Sequence, residues 1–182
     1  MNKFEQTNAQ FEQAIAECRA LFANKLHDYR ASWRILRPTA LTDQLFIKAK
    51  RIRSLELKGE SLVGEGIRPE FVALINYGIV GLIQLNKGFA DTVDMDNDEA
   101  LRLYDQYAHE ALELMKRKNH DYDEAWRSMR VSSYTDLILT KIERIKEIEN
   151  LRGETLVSEG ADANYMDIVN YAVFGLIKLS EK

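Results

Sequence analysis

The sequence predicts an all-α chain: a tandem duplication of a three-helix unit, packed as a pseudo-two-fold helical bundle. Three observations predict it. The chain repeats itself, because Lys25-Leu26-His27-Asp28-Tyr29, Trp33-Arg34 and Arg37 return 93 residues later as Lys118-Asn119-His120-Asp121-Tyr122, Trp126-Arg127 and Arg130. The match runs on through Lys48 and Lys141 and through Arg51 and Arg144. At an offset of 94 it then pairs Gly59 with Gly153, Asn76-Tyr77 with Asn170-Tyr171, and Gly81 with Gly175. Only two prolines and nine glycines punctuate 182 residues. Apolar residues recur at helical spacing, and no alternating strand pattern competes.

The first helix is expected to start near Thr7, with Gln10 closing a capping box, and to run toward Tyr29 on the apolar positions Phe11, Ile15, Cys18, Leu21, Phe22 and Leu26. The second spans about Leu41 to Lys58 and stops at Gly59. The third begins at Pro69, a favourable first-turn residue, and ends near Asn86 to Gly88. It is apolar almost all round, which marks a central helix. Glycine inside a helix costs about 1 kcal/mol relative to alanine, and close backbone approach is the usual compensation. The two third helices are therefore expected to cross near Gly78, Gly81, Ala172 and Gly175. The second copy repeats the plan at about Asn97–Lys118, Tyr134–Arg152 and Asp162–Ser180, with Gly153 ending its middle helix. The loops Ser61–Arg68 and Thr155–Ala161 share a Leu-Val-x-Glu-Gly sequence, and the polar stretch Asn86 to Asp98 reads as the linker. The copies thus divide the chain at 1–88 and 89–182. Units of about 90 residues bury little surface alone, so one fused globule is expected, and the pseudo-symmetry is compatible with a homo-oligomer.

A net charge of −4 and a pI near 5.5 argue against a general nucleic-acid binder. The lone Cys18 cannot form an intrachain disulfide, which fits a reducing cytoplasm. The polar segment Met1 to Gln13 predicts no secretory leader, and the longest apolar stretch, Phe71 to Leu85, is too short and too interrupted to span a bilayer.

The candidate chemistry lies in what the copies share and where they differ. Both keep Lys, His, Asp, Tyr, Trp and Arg at the end of the first helix, and a Lys-x-x-Arg pair on one face of the second. Guanidinium forks and ammonium point charges suit phosphate oxygens; an internal salt-bridge network around Asp28 and Asp121 would select the same residues. The copies differ where Ala20 aligns with Glu113 and Ala73 with Asp167. Glu110 and Glu113 are three apart on one helix, as are Asp167 and Asn170 on another. If those faces met, they would offer hard oxygen ligands to Mg²⁺. The acidic run Asp94 to Asp98 imitates the start of a calcium loop but lacks its glycine, and helix capping explains it. His109 reads as a surface residue beside Glu110.

The Lys-x-His-Asp-Tyr segments, the Lys-x-x-Arg pairs and the Asn-Tyr helices together resemble the nucleotide modification associated domain 1 family of bacterial and phage proteins. The likeness runs over about Lys25–Leu85 and Lys118–Leu179. It implies a link to nucleotide metabolism. More distantly, the chain is similar to the all-α nucleoside triphosphate pyrophosphatases, whose Glu-x-x-Glu and Glu-x-x-Asp helices hold Mg²⁺. Here Glu110-x-x-Glu113 matches the first pair, and Asp167-x-x-Asn170 departs from the second in both residues.

The expected function is thus nucleotide binding, with Mg²⁺-dependent pyrophosphohydrolysis as its catalytic form. Glu113 and Asp167 would be catalytic, and Glu110, Glu113 and Asp167 would hold the metal. Lys118, His120, Asp121, Tyr122, Trp126, Arg127, Lys141, Arg144 and Asn170 would hold the nucleotide or other phosphorylated small molecule. The alternative left open is a non-catalytic binding or interaction module whose repeated charges are structural.

Overall fold

A computed structural model describes residues 1–59, 66–152 and 160–181, and every element among them is helical. Helices α1 (Lys3–Tyr29), α2 (Pro38–Lys58) and α3 (Arg68–Lys87) form the first repeat. Helices α4 (Asn97–Tyr122), α5 (Val131–Asn150) and α6 (Ala161–Ser180) form the second. A 3-10 turn follows the first helix of each, at Ser32–Ile35 and Ala125–Ser128. Gly153 and most of the two Leu-Val-x-Glu-Gly loops lie outside the described residues.

Helix α1 starts four residues earlier than Thr7. Asn2 caps it: its side chain accepts from the Glu5 N–H at 2.9 Å, while the Glu5 carboxylate accepts from the Asn2 N–H at 3.0 Å. This reciprocal capping box satisfies two orphan donors, whereas Thr7 is buried inside the helix with its hydroxyl on the Lys3 carbonyl. Of the apolar positions expected to carry α1, Leu21 is left exposed. Helix α4 extends beyond expectation to Tyr122, while α5 starts earlier, at Val131, and stops at Asn150 rather than at Arg152. The acidic run before α4 is a cap: Asp96 accepts from the Glu99 N–H at 2.8 Å, and Asp94 pairs with Arg34.

Each helix packs on its own counterpart across the pseudo-two-fold axis: α1 on α4, α2 on α5, α3 on α6. The α3–α6 crossing is where the glycines predicted it. A Cβ on Gly81 would collide with the ring of Tyr165, and one on Gly175 would lie 2.8 Å from the ring of Phe71. Phe71 and Tyr165 are themselves equivalent at the offset of 94, so each repeat inserts an aromatic ring against the other's glycine. Both rings are buried, and full burial of such a ring stabilises by about 1.5–3 kcal/mol. Between α2 and α5 the same reciprocity appears in polar form. Thr42 donates to Glu149 at 2.9 Å, and Thr135 donates to Glu56 at 3.1 Å.

Two further pairs of equivalent residues fix the third helix of each repeat, one to the first helix and one to the 3-10 turn. Asn76 Nδ2 donates to the Cys18 carbonyl at 3.1 Å, and Asn170 Nδ2 to the Ala111 carbonyl at 3.2 Å. One helical end lower, Gln84 donates to the carbonyls of Trp33, Arg34 and Leu36, and Lys178 to those of Arg127 and Met129. Different side chains do the same work: they hold the 3-10 turn, and with it a tryptophan, over the third helix.

Candidate functional site

That clamp creates a pocket in each repeat. In the second it measures about 320 Å³ and lies between the end of α4, the 3-10 turn and α6; it is lined by Met115, Lys118, Asn119, Tyr122, Ala125, Trp126, Met129, Asp167, Asn170, Tyr171 and Phe174. Every one of these has its equivalent, at an offset of 93 or 94, in a pocket of the first repeat. The duplication has therefore carried a cavity, not only helices.

The walls of the second-repeat pocket are aromatic. Trp126 and Phe174 stack with centroids 4.2 Å apart and planes 8° apart, and Tyr122 stands at the rim, 71 % exposed. Lys118 and Asp167 meet at the mouth at 2.8 Å, and Lys141 holds the other Asp167 oxygen at 3.0 Å. Deeper in, Asn119 and Asn170 are 5 % and 6 % exposed. Their amide nitrogens are engaged, on Glu124 and on the Ala111 carbonyl, and both Oδ1 atoms are buried acceptors with no donor among the described residues. In the first repeat the Asn76 Oδ1 accepts from the Tyr104 hydroxyl at 2.8 Å. The position symmetric to Tyr104 is Phe11, which has no hydroxyl to give Asn170.

Behind the pocket lies a buried carboxylate that sequence reasoning missed. Glu124 accepts from the Thr7 hydroxyl, the Asn119 amide, the Trp126 indole at 3.1 Å and Arg127 Nε at 3.1 Å. Burial pushes its pKa up, but these four hydrogen bonds outweigh burial and hold it below the ordinary carboxylate value. Comparing the copies could have found it, since its counterpart is the apolar Ala31, just as the counterpart of Asn119 is Leu26.

The expected site residues divide sharply. Lys118, Tyr122, Trp126, Asp167 and Asn170 converge on the pocket, with Lys141 backing Asp167. His120 and Asp121 are exposed and touch each other at 3.1 Å, as His27 and Asp28 do, so neither aspartate anchors the arginines. Arg144 is exposed on α5. Arg127 lies outside the pocket lining and reaches Glu124, Thr7, Gln10 and Glu181, with its guanidinium 4.4 Å from the Trp126 ring. Arg34 is buried in the same role, on Asp94, Gln84 and the Gly88 carbonyl. Both arginines are thus tied into the fold, on partners other than Asp28 and Asp121.

The convergence of Glu110, Glu113 and Asp167 does not occur. Ala111 faces α6, and with about 100° per residue Glu113 is carried to the far side of α4. There it pairs with Lys116 at 3.1 Å and lies 4.0 Å from His109, which is exposed as expected. Glu110 lines a separate cleft with Asp162 and Asn86. Among the described residues no group of three or more His, Cys, Asp or Glu could hold a metal. Asp167 is the one carboxylate lining the pocket among the described residues, and two ammonium groups already cover its oxygens. This donor set does not fit a resident Mg²⁺.

No helix among the described residues is long and apolar enough to cross a membrane. No curated protein and no solved structure matches the chain. The model of one family does match, in two segments, 25–85 and 118–179, which are the two copies and together more than half of the chain; the protein belongs to the nucleotide modification associated domain 1 family.

Proposed function

We propose that the protein binds a nucleotide, with the base in the second-repeat pocket and the phosphate at its mouth. The observation that carries this reading is convergence: Lys118, Tyr122, Trp126, Asp167, Asn170 and Tyr171, motif residues drawn from segments about 50 positions apart, line one cavity. Their chemistry is suited to a nucleotide. Aromatic faces stack on any base, worth about 1–3 kcal/mol. The buried Asn119 and Asn170 oxygens call for N–H donors, which the amino and imino groups of bases supply. Both oxygens are shielded, so the base seats at the pocket floor with a small adjustment of side chains. Lys118, half exposed at the mouth, meets the phosphate and exchanges part of its pairing with Asp167 for it.

This reading is one of recognition and takes no step through a metal. Trp33 and Trp126 are the only two tryptophans, one in each pocket, so Trp33→Phe leaves Trp126 as the sole indole reporter. Titrating that variant with the common nucleoside monophosphates should quench its fluorescence saturably for at least one base. Lys118→Ala and Asn170→Leu should each weaken binding by about tenfold or more, and Glu113→Gln should leave it unchanged. A flat titration across all the bases sinks the proposal.

A further inference from the structure

The two pockets are equivalent in position and opposite in chemistry. The first-repeat pocket is larger, about 540 Å³ against about 320 Å³. One cause is visible: Val80 stands where Phe174 fills the second pocket by stacking on Trp126. A second difference concerns charge. The acid on the third helix has moved by one turn, from the position of Asp167 (here Ala73) to that of Asn164 (here Glu70). Glu70 draws Lys48 to 3.7 Å and Arg51 to 3.1 Å. Asp167, by contrast, neutralises Lys118 at the mouth of its own pocket. Lys25, the equivalent of Lys118, consequently makes no ion pair among the described residues, and neither does the adjacent pocket residue Arg30. The third difference is in the wall. The Trp126 indole donates to Glu124, but Ala31 takes that place in the first repeat, and Trp33 Nε1 is a buried donor with no acceptor among the described residues.

We propose that the first-repeat pocket is a second ligand site, for an aromatic anion: a flat apolar ring system carrying a phosphate, sulfonate or carboxylate. The ring occupies the volume that Val80 and Ala73 leave open beside Trp33, and the anion meets Lys25 and Arg30 at the mouth. The second pocket offers buried acceptors and a neutralised acid, so it selects a ligand bearing N–H donors. The first also holds the Glu70 carboxylate, but Lys48 and Arg51 neutralise it; Lys25, Arg30 and the Trp33 N–H, which finds no acceptor among the described residues, then favour an acceptor. This assignment stands on the pair of pockets and does not require a nucleotide in the second.

The probe is 8-anilinonaphthalene-1-sulfonate, added to full-length Trp126→Phe so that energy transfer arises from Trp33 alone. Saturable transfer is expected. Lys25→Met should weaken it about tenfold or more. Ala73→Asp and Val80→Phe, which give the first pocket the residues of the second, should do the same. Lys118→Met should leave it unchanged. Lys25 is exposed, so Lys25→Met keeps the fold, as its circular dichroism melt will verify. Displacement by phenyl phosphate would identify phosphate as the natural anion, and displacement by benzoate a carboxylate. A titration indifferent to Lys25→Met, Ala73→Asp and Val80→Phe overturns the site, as does failure of both competitors. The nucleotide titration of Trp33→Phe reads the other pocket, so the two proposals fail separately.

Discussion

Arg34 and Arg144 show why a repeated charge does not by itself disclose its role. Both belong to matched pairs, yet Arg34 is 4 % exposed and tied to Asp94, Gln84 and Gly88, while Arg144 is exposed. Removing one partner of a buried charged network leaves the rest uncompensated, at about 3 kcal/mol. For a chain of this size that is about 10 °C in Tm. Arg34→Met should therefore melt about 10 °C lower, whereas Arg144→Ala should stay within about 0.5 kcal/mol of the parent; equal melts for the two variants would contradict the burial argument. Glu124 makes a different prediction, in pH. Its folded pKa is depressed, because the hydrogen bonds from Thr7, Asn119, Arg127 and Trp126 outweigh burial. Its contribution is accordingly complete above the ordinary carboxylate value, about 4.3, and is lost as pH falls through the lower folded value. Glu124→Gln should lower Tm at pH 7 and flatten the loss of Tm between pH 5 and 3, as thermal melts at stepped pH would show. Cys18 sits at the inert end of this scale: burial pushes its thiol up to about 12, so alkylating reagents should spare it in the folded chain.

The helices were legible because their signals are local, and the site was only partly so because its signals are not. Gly59 closes α2 in the left-handed conformation that glycine adopts freely, at φ 77°, and the glycines of α3 announced a close crossing before any coordinates. The capping box at Asn2 and Glu5 was missed because Thr7 and Gln10 carry a similar local pattern one turn further on. The expected metal triad failed for a rotational reason: i, i+3 spacing puts Glu110 and Glu113 on one face of α4, but spacing cannot say which face meets α6. Asn119 on α4 and Asn164 and Asn170 on α6 settle that, since they are the buried polar positions of those helices. The crossing itself is testable. Gly175→Ala improves helix propensity by about 1 kcal/mol, and on an isolated helix it would stabilise. Here its methyl would stand 2.8 Å from the fully buried Phe71 ring, so overpacking of about 1–3 kcal/mol should win and Tm should fall. Phe71→Leu in the same chain should recover part of the loss. A Gly175→Ala chain that melts higher than the parent would show that the helices are not held this close.

At the scale of the whole molecule, the duplication explains why the repeats depend on one another. The faces that each repeat would expose alone are the ones the other covers: α3 carries Phe71 into Gly175, α6 carries Tyr165 into Gly81, and the Thr42–Glu149 and Thr135–Glu56 bonds cross the same axis. None of these contacts is internal to one copy, and a unit of about 90 residues has little core to spare. The arrangement is nonetheless self-complementary. In a pair of first repeats Phe71 would meet Gly81, and Thr42 would meet Glu56, residues that already occupy those roles across the pseudo-symmetric interface. Fragments 1–92 and 93–182, prepared separately, should therefore fold only on association, with a Tm that rises with concentration. Mixed in equal amounts they should form a one-to-one complex that melts above either alone, because the Tyr165–Gly81 and Phe71–Gly175 contacts are then restored together. Sedimentation equilibrium and circular dichroism on the fragments and their mixture decide it. A folded monomer of either fragment, melting independently of concentration, would mean that each repeat carries its own sufficient core and that the shared axis is a docking surface between two domains.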